Sequence, residues 1–222
     1  MFGLQIRYLS FFFGLIFVLS FFNIIYSYYL NLYLNLNTYY LTFFTSLIIS
    51  ILFYKLRIAE KKITIYKKIL TVFLGYILLP LILSIPFYFS IYNITFQNSF
   101  FESISGFTST GFTIFENIKH IDESLILWRS SIQWLGGLYF LFSIILLIDI
   151  YDDSFKKTFT NFFSLNSSEI LKQTIKIFLL YSSLTLFIFI ILNIFSIRAF
   201  DSLNLAFTLI SSGGFLPVND LS

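Results

Sequence analysis

The sequence predicts an all-α, polytopic membrane protein, and three observations carry that prediction. Mean hydropathy over the 222 residues is +0.87, with 58% of residues hydrophobic and 11% charged, which is not the composition of a soluble domain. Five apolar stretches reach the roughly 20 residues that a helix needs to cross a hydrocarbon core. The cations gather in a few connections instead of spreading along the chain, the pattern by which membrane proteins fix their orientation.

The five spans cover residues 8–30, 36–54, 69–91, 125–150 and 175–197. The apolar run of the first is too long for a cleaved signal peptide, and no small-x-small site follows it. The second pairs with it as a hairpin. Pro80 and Pro86 bend the third, a common device in membrane helices. In the fourth, Gly136 and Gly137 permit close helix packing, and Trp128 near the boundary fits an aromatic belt. Two shorter apolar segments, residues 98–107 and 199–210, each run into Gly, Ser and Thr. At 1.5 Å per residue they reach about 15 Å, half the core, which suits re-entrant helices followed by loops better than spans. The chain therefore divides into a hairpin with a basic loop (1–68), a first unit of span, re-entrant helix and span (69–150), a loop (151–174) and a second unit (175–222) that ends after its glycine turn.

Lys55, Arg57, Lys61, Lys62, Lys67 and Lys68 follow the second span, and Lys156, Lys157, Lys172 and Lys176 separate the fourth from the fifth. With Arg7 these make eleven of the fourteen cations, so both loops and the N-terminus are expected on the cytoplasmic side. Lys119, Arg129 and Arg198 fall outside, with Glu102, Glu116, Asp122, Glu123, Asp201 and Asp220. This leaves an acidic outer face. Such a face enriches cations over a Debye length of roughly 8 Å; the topological bias against outer Lys and Arg accounts for it equally.

Catalysis finds little support. The chain has no cysteine and one histidine, His120, which removes thiol nucleophiles, Cys zinc sites and His-rich metal sites. Asp152 and Asp153 read as a solvated helix end and His120 as a solvated loop residue. No enzyme activity and no bound cofactor are expected.

The unit of span, short helix and glycine turn occurs twice in the same orientation. Laying Gly111 over Gly213 puts Ser109-Thr110-Gly111-Phe112 over Ser211-Ser212-Gly213-Gly214. A half-helix entering from outside aims its C-terminal partial negative charge at the bilayer centre, which favours a cation by about 0.3–2 kcal/mol. An extended turn beyond it can offer backbone carbonyls in place of water. Thr108, Ser109, Thr110, Gly111 and Phe112, with Ile210, Ser211, Ser212, Gly213 and Gly214, are the candidate ion-binding residues. Small residues packing between membrane helices give the same pattern, so both readings stand at this point.

The run Phe101-Glu102-Ser103-Ile104-Ser105-Gly106-Phe107-Thr108-Ser109-Thr110-Gly111-Phe112-Thr113 closely resembles the first pore loop of the Trk/Ktr/HKT potassium-transporter superfamily. The stretch Trp128-Arg129-Ser130-Ser131-Ile132-Gln133-Trp134-Leu135-Gly136-Gly137 resembles the start of the following helix in its TrkH branch, and residues 206–215 resemble the second pore loop. The extra N-terminal hairpin also favours the TrkH-like branch. The resemblance implies a potassium-uptake subunit in which four repeats surround one path, this chain holding the first two and K⁺ passing through filter carbonyls. It further implies a homodimer of full-length subunits and a cytosolic TrkA-like nucleotide-binding regulatory subunit. A Na⁺/K⁺ transporter of the same family and an unrelated broken-helix secondary transporter are the alternatives.

Three side chains are candidate filter supports. An unpaired Arg129 in lipid costs about 2.5–3.5 kcal/mol on insertion scales, so it either pairs with Glu102 on the first pore helix or snorkels to the interface. Gln133 either braces the pore helix or makes an ordinary interhelical hydrogen bond.

Overall fold

The computed structural model describes residues 6–55, 65–116, 118, 121–147 and 170–217, and these are helical with short connections. Helix α1 (Ile6–Tyr29) leads through a 3₁₀ turn (Tyr33–Asn35) into α2 (Leu36–Lys55). Helix α3 (Ile65–Leu83) is followed by α4 (Ile85–Ser90), α5 (Phe96–Phe107) and α6 (Glu123–Leu146), and then by α7 (Ile170–Ile194) and α8 (Ala199–Ser211). Arg57, Lys61, Lys62, Lys119, His120, Asp152, Asp153, Lys156, Lys157 and Asp220 lie outside the described residues, as does most of the 151–174 loop.

Among the described residues four segments are long and apolar enough to cross a membrane: Tyr8–Tyr29, Tyr33–Lys55, Ile65–Ser90 and Ile175–Ile194. The chain is therefore a multi-pass membrane protein in its helical composition. The third segment is broken where expected. Pro80 lies inside α3, Ser84 forms the joint, and Pro86 sits in the first turn of α4, where its missing N–H costs nothing.

The remaining long helix, α6, is of a different kind. Its 24 residues span about 36 Å, yet Arg129, Gln133 and four serines dilute its hydropathy. Burial explains how it tolerates them, because 18 of the 24 residues are buried against other helices. It packs against α1, α3, α5, α7 and α8, while α7 presents mostly exposed leucine, isoleucine and phenylalanine. Trp128 is fully buried and donates its indole N–H to the Leu83 carbonyl at 3.0 Å. The expected aromatic-belt role is thereby corrected: Trp128 satisfies a carbonyl beside the α3–α4 joint.

Two tandem glycines on α6 let the short helices approach. A Cβ on Gly136 would overlap the Phe107 backbone at the end of α5, and one on Gly137 would lie 2.9 Å from Ser211 Cβ at the end of α8. Above them an aromatic cluster of Phe12, Phe107, Tyr139 and Phe142 joins α1, α5 and α6, with Phe12 and Tyr139 edge-on at 4.8 Å. Tyr139 hydrogen-bonds the Val72 carbonyl of α3 at 3.0 Å.

A polar clamp closes one end of the bundle. Glu123 accepts from Tyr26 Oη at 3.0 Å and from Arg198 Nη1 at 3.1 Å; Arg198 also holds Asp201, and Asn35 holds Asp122. The hairpin, the start of α6 and the start of α8 are thus tied together at that end, opposite Lys55 and Lys67.

Replacing Gly136 with Ala is expected to destabilise the fold by about 1–3 kcal/mol, the usual range for overpacking a close contact. A lowered Tm of the detergent-solubilised protein would register it. Gly14→Ala, where the added Cβ would meet only Ser50 Oγ at 3.6 Å, is expected to leave the Tm near the parent value.

Candidate functional site

The two short helices differ in sequence but end alike. α5 starts at an N-cap, Thr95, whose hydroxyl accepts the Asn98 amide, and both helices terminate in a residue with left-handed dihedrals, Ser109 and Ser212, each at φ 54°. The next amide turns back into the helix, Thr110 to the Ser105 carbonyl and Gly213 to the Thr208 carbonyl, both at 2.9 Å. This 6→1 bond is the mark of a Schellman closure. Two residues beyond each serine the chain is left-handed again, at Gly111 (φ 77°) and Gly214 (φ 81°), where glycine alone escapes Cβ strain. Phe112 and Phe215 then offer their carbonyls to the hydroxyls of Ser105 and Thr208, at 2.5 and 2.8 Å.

Each of these equivalences separates residues by 103 positions, as from Gly111 to Gly214. The overlay of Gly111 on Gly213 is corrected by one residue: Gly111 corresponds to Gly214, and Thr110 to Gly213. Tandem Gly213-Gly214 fits a glycine template in two registers, and the helix-closing hydrogen bonds select between them. Ser105 and Thr208, which hold the two turns, escaped the sequence reading for the same reason. In the shorter offset Ser105 falls on Phe207, so the paired hydroxyls were hidden.

The two turns abut. A Cβ on Gly111 would meet the Gly213 carbonyl at 2.8 Å and Gly214 Cα at 3.3 Å. A cavity of about 650 Å³ opens on one side, lined by Phe107, Thr108, Ser109, Ile210, Ser211 and Ser212 at the helix ends together with Gly136 and Gly137. A second of about 310 Å³ lies on the other, lined by Gly111, Thr113, Glu116, Arg129 and Gly214 among others. Both helix C-termini, with their partial negative charge, border the larger cavity. The glycine turns stand between the two spaces.

Of the expected ion-binding residues, Thr108, Thr110, Phe112, Ser212 and Gly214 are exposed, Ser109, Gly111 and Ile210 are partly exposed, and Ser211 and Gly213 are buried. Thr108 and Thr110 share a hydrogen bond at 2.7 Å through their hydroxyls.

Behind the turns stand the three support residues. Arg129, on α6, places Nε 2.9 Å from Glu102 Oε1 on α5, both side chains essentially buried. Glu102 also accepts from Thr113 Oγ1 at 2.9 Å and from the Ile114 amide at 3.0 Å, and Arg129 Nη2 donates to Thr113 Oγ1 at 3.0 Å. The carboxylate is thus saturated by the strand leaving the first turn. The guanidinium also lies 4.3 Å from the centre of the Phe215 ring, a cation–π contact that reaches the second turn. Gln133, one helical turn along α6, donates Nε2 to the Gly213 carbonyl and accepts from Thr208 Oγ1 at 2.9 Å. Thr113 belongs to this network although the sequence reading passed over it.

Two helix-and-turn units closing on one buried helix place the chain in a class: all-helical, multi-pass membrane proteins with short helices that run into glycine turns. Within it the particular likeness is to TrkH. The crystal structure of the potassium transporter TrkH from Vibrio parahaemolyticus superposes with a TM-score of 0.69 at 20% identity, covering 95% of this chain and 44% of that one. An uncharacterized cation transporter of Methanocaldococcus jannaschii is 27% identical over 212 residues, 86% of this chain and 43% of the relative. The Trk system potassium uptake protein TrkI of Halomonas elongata is 42% identical over 60 residues, and TrkH of Escherichia coli 38% over 56, each about a quarter of this chain. No protein-family model matches the sequence. The fold is similar to that of TrkH, and the chain spans less than half the length of the relative and the structure that it matches along most of its own length.

Removing one partner of a buried, hydrogen-bonded ion pair leaves an uncompensated charge, at a cost of about 3–5 kcal/mol. Glu102→Leu and Arg129→Leu are each expected to lower the Tm strongly, and the double variant by clearly less than the sum of the two. Additive losses in that thermal-unfolding cycle would show that the pair carries no coupling.

Proposed function

We propose that this chain forms the first two of four repeats of a potassium-uptake pathway in the cell membrane. The observation that carries the proposal is the pair of abutting glycine turns, Gly111 and Gly214, held between two cavities at the C-terminal ends of α5 and α8. In this reading α6 is a fifth span, α5 and α8 re-enter from outside, and the basic connections and N-terminus are cytoplasmic. The names of the curated relatives, cation transporter and potassium uptake protein, support it, as does their roughly doubled length.

A permeating K⁺ sheds water and takes backbone carbonyls in exchange. The carbonyls of residues 108–111 and 210–212, with that of Gly214, are the candidates. Those of Phe112 and Gly213 already accept from Ser105 and Gln133, so their part in the site is to hold the turns. Gly111 and Gly214 keep the left-handed backbone that aims the flanking carbonyls. The C-terminal ends of α5 and α8 lower the energy of a cation in the larger cavity. Glu102 and Arg129 fix the exit of the first turn. The ion is cargo, and the pathway as proposed needs no resident cofactor. Assembly as a homodimer, with a TrkA-like nucleotide-binding subunit on the basic cytoplasmic side, completes the proposal.

The test is ion flux in cells that depend on the complete transporter for growth on low K⁺. Gly111→Ser and Gly214→Ser are each expected to reduce the ratio of Rb⁺ to Na⁺ uptake by about tenfold or more, the effect of losing roughly 1.4 kcal/mol of preference at one ion site. Unchanged ratios in both variants would remove these glycines from selectivity.

A further inference from the structure

Gln133 is a buried carboxamide whose two ends reach two different parts of the second turn. Its orientation follows from its partners. The Gly213 carbonyl can only accept, so it faces Nε2, and the Thr208 hydroxyl donates to Oε1. Thr208 Oγ1 also lies 2.8 Å from the Phe215 carbonyl, so one hydroxyl proton serves both, and the carboxamide, hydroxyl and turn form a closed circuit.

Two further facts give the circuit a consequence at the ion path. Gly213 has no room for a side chain, because a Cβ there would overlap the carboxamide of Gln133. The same Gly213 carbonyl faces Gly111, where an added Cβ would stand 2.8 Å away. The carbonyl is therefore pinned between Gln133 on one side and the first turn on the other. In the first turn the equivalent residue, Thr110, engages Thr108 through its hydroxyl instead. Beyond the hydroxyl bond that both turns share, the second turn carries the Gln133 circuit, and the Gly213 carbonyl that this circuit holds lies on the contact surface between the turns.

We infer that Gln133 is a positioning residue for specificity: by turning the Gly213 carbonyl against Gly111 it sets the separation of the two glycine turns, and so the size of ion that their free carbonyls fit. The inference rests on the transport reading and adds a residue that touches no ion. Loss of the carboxamide frees the Gly213 peptide to rotate and relaxes the spacing, which lets the site collapse around a smaller cation.

The experiment compares Gln133→Leu, Thr208→Val and Ser131→Ala in the complete transporter, with Rb⁺ and Na⁺ uptake measured beside the amount of protein in the membrane. Ser131 is the control, since it is buried on the same helix and, among the described residues, its hydroxyl bonds the Leu127 carbonyl of that helix and neither glycine turn. Gln133→Leu is expected to lower the Rb⁺/Na⁺ uptake ratio by about tenfold, the factor that follows when a buried hydrogen-bonded group loses its partner. Thr208→Val is expected to shift the ratio the same way, the double variant no further than Gln133→Leu alone, and Ser131→Ala not at all. Should Gln133→Leu fail to accumulate, the ratio in Thr208→Val decides. An unchanged ratio in whichever of the two accumulates, or an equal shift in Ser131→Ala, would overturn the inference while leaving the transport reading intact. Absence of Rb⁺ uptake by the parent protein would overturn both.

Discussion

The fold depends on how closely the two short helices α5 and α8 can approach α6. Gly136 and Gly137 bring the ends of α5 and α8 against adjacent positions of one helix, and this proximity places the two turns side by side. A side chain at either position would hold a helix end away from α6 by a few ångströms. The contact between Gly111 and Gly214, which needs backbone against backbone, would then be lost. Without this packing the polar groups on α6 would have no partners, because Arg129 and Gln133 reach the turns only from a helix that lies directly behind them.

α6 thereby resolves a conflict between solubility in lipid and function. A membrane helix with an arginine, a glutamine and a serine cluster is a poor span on its own, since each polar group in hydrocarbon needs a partner. Here the partners are the turns themselves. Glu102 takes up Nε of Arg129 and Thr113 its Nη2, Phe215 covers its plane, and Gln133 is satisfied by Thr208 and Gly213. The polar side chains that lower the apolarity of α6 bond the glycine turns, and the apolar α7 contributes mainly surface.

Much of the fold was legible because membrane spans announce themselves by length and apolarity. α1 and α2 lie within a residue or two of the apolar runs, and the break at Ser84 falls between the two prolines that foretold a bend. The short helices were legible from their length and from the small residues after them. Register was not. Glycine identity alone could not choose between Gly213 and Gly214, since the choice rests on which amide closes the helix, a property of three-dimensional hydrogen bonding. Trp128 misled for a related reason: position along a span says where a residue lies in depth, while its facing direction decides between lipid and protein. The proximity of Arg129 and Glu102 was raised by charge alone, because a buried cation requires an anion, but Thr113 carries no such signal and emerged only from geometry.

The hydrogen bonds of α6 also impose an order on its history in the cell. Glu102 leaves the ribosome 27 residues ahead of Arg129, so the charged pair can form as soon as the helix is made. Gln133 must wait, because Thr208 and Gly213 follow it by 75 and 80 residues, a delay of several seconds at about 5–20 residues per second. During that interval its amide has no lasting partner. Until α8 arrives, the first unit therefore lacks both of the partners that Gln133 holds in the folded chain.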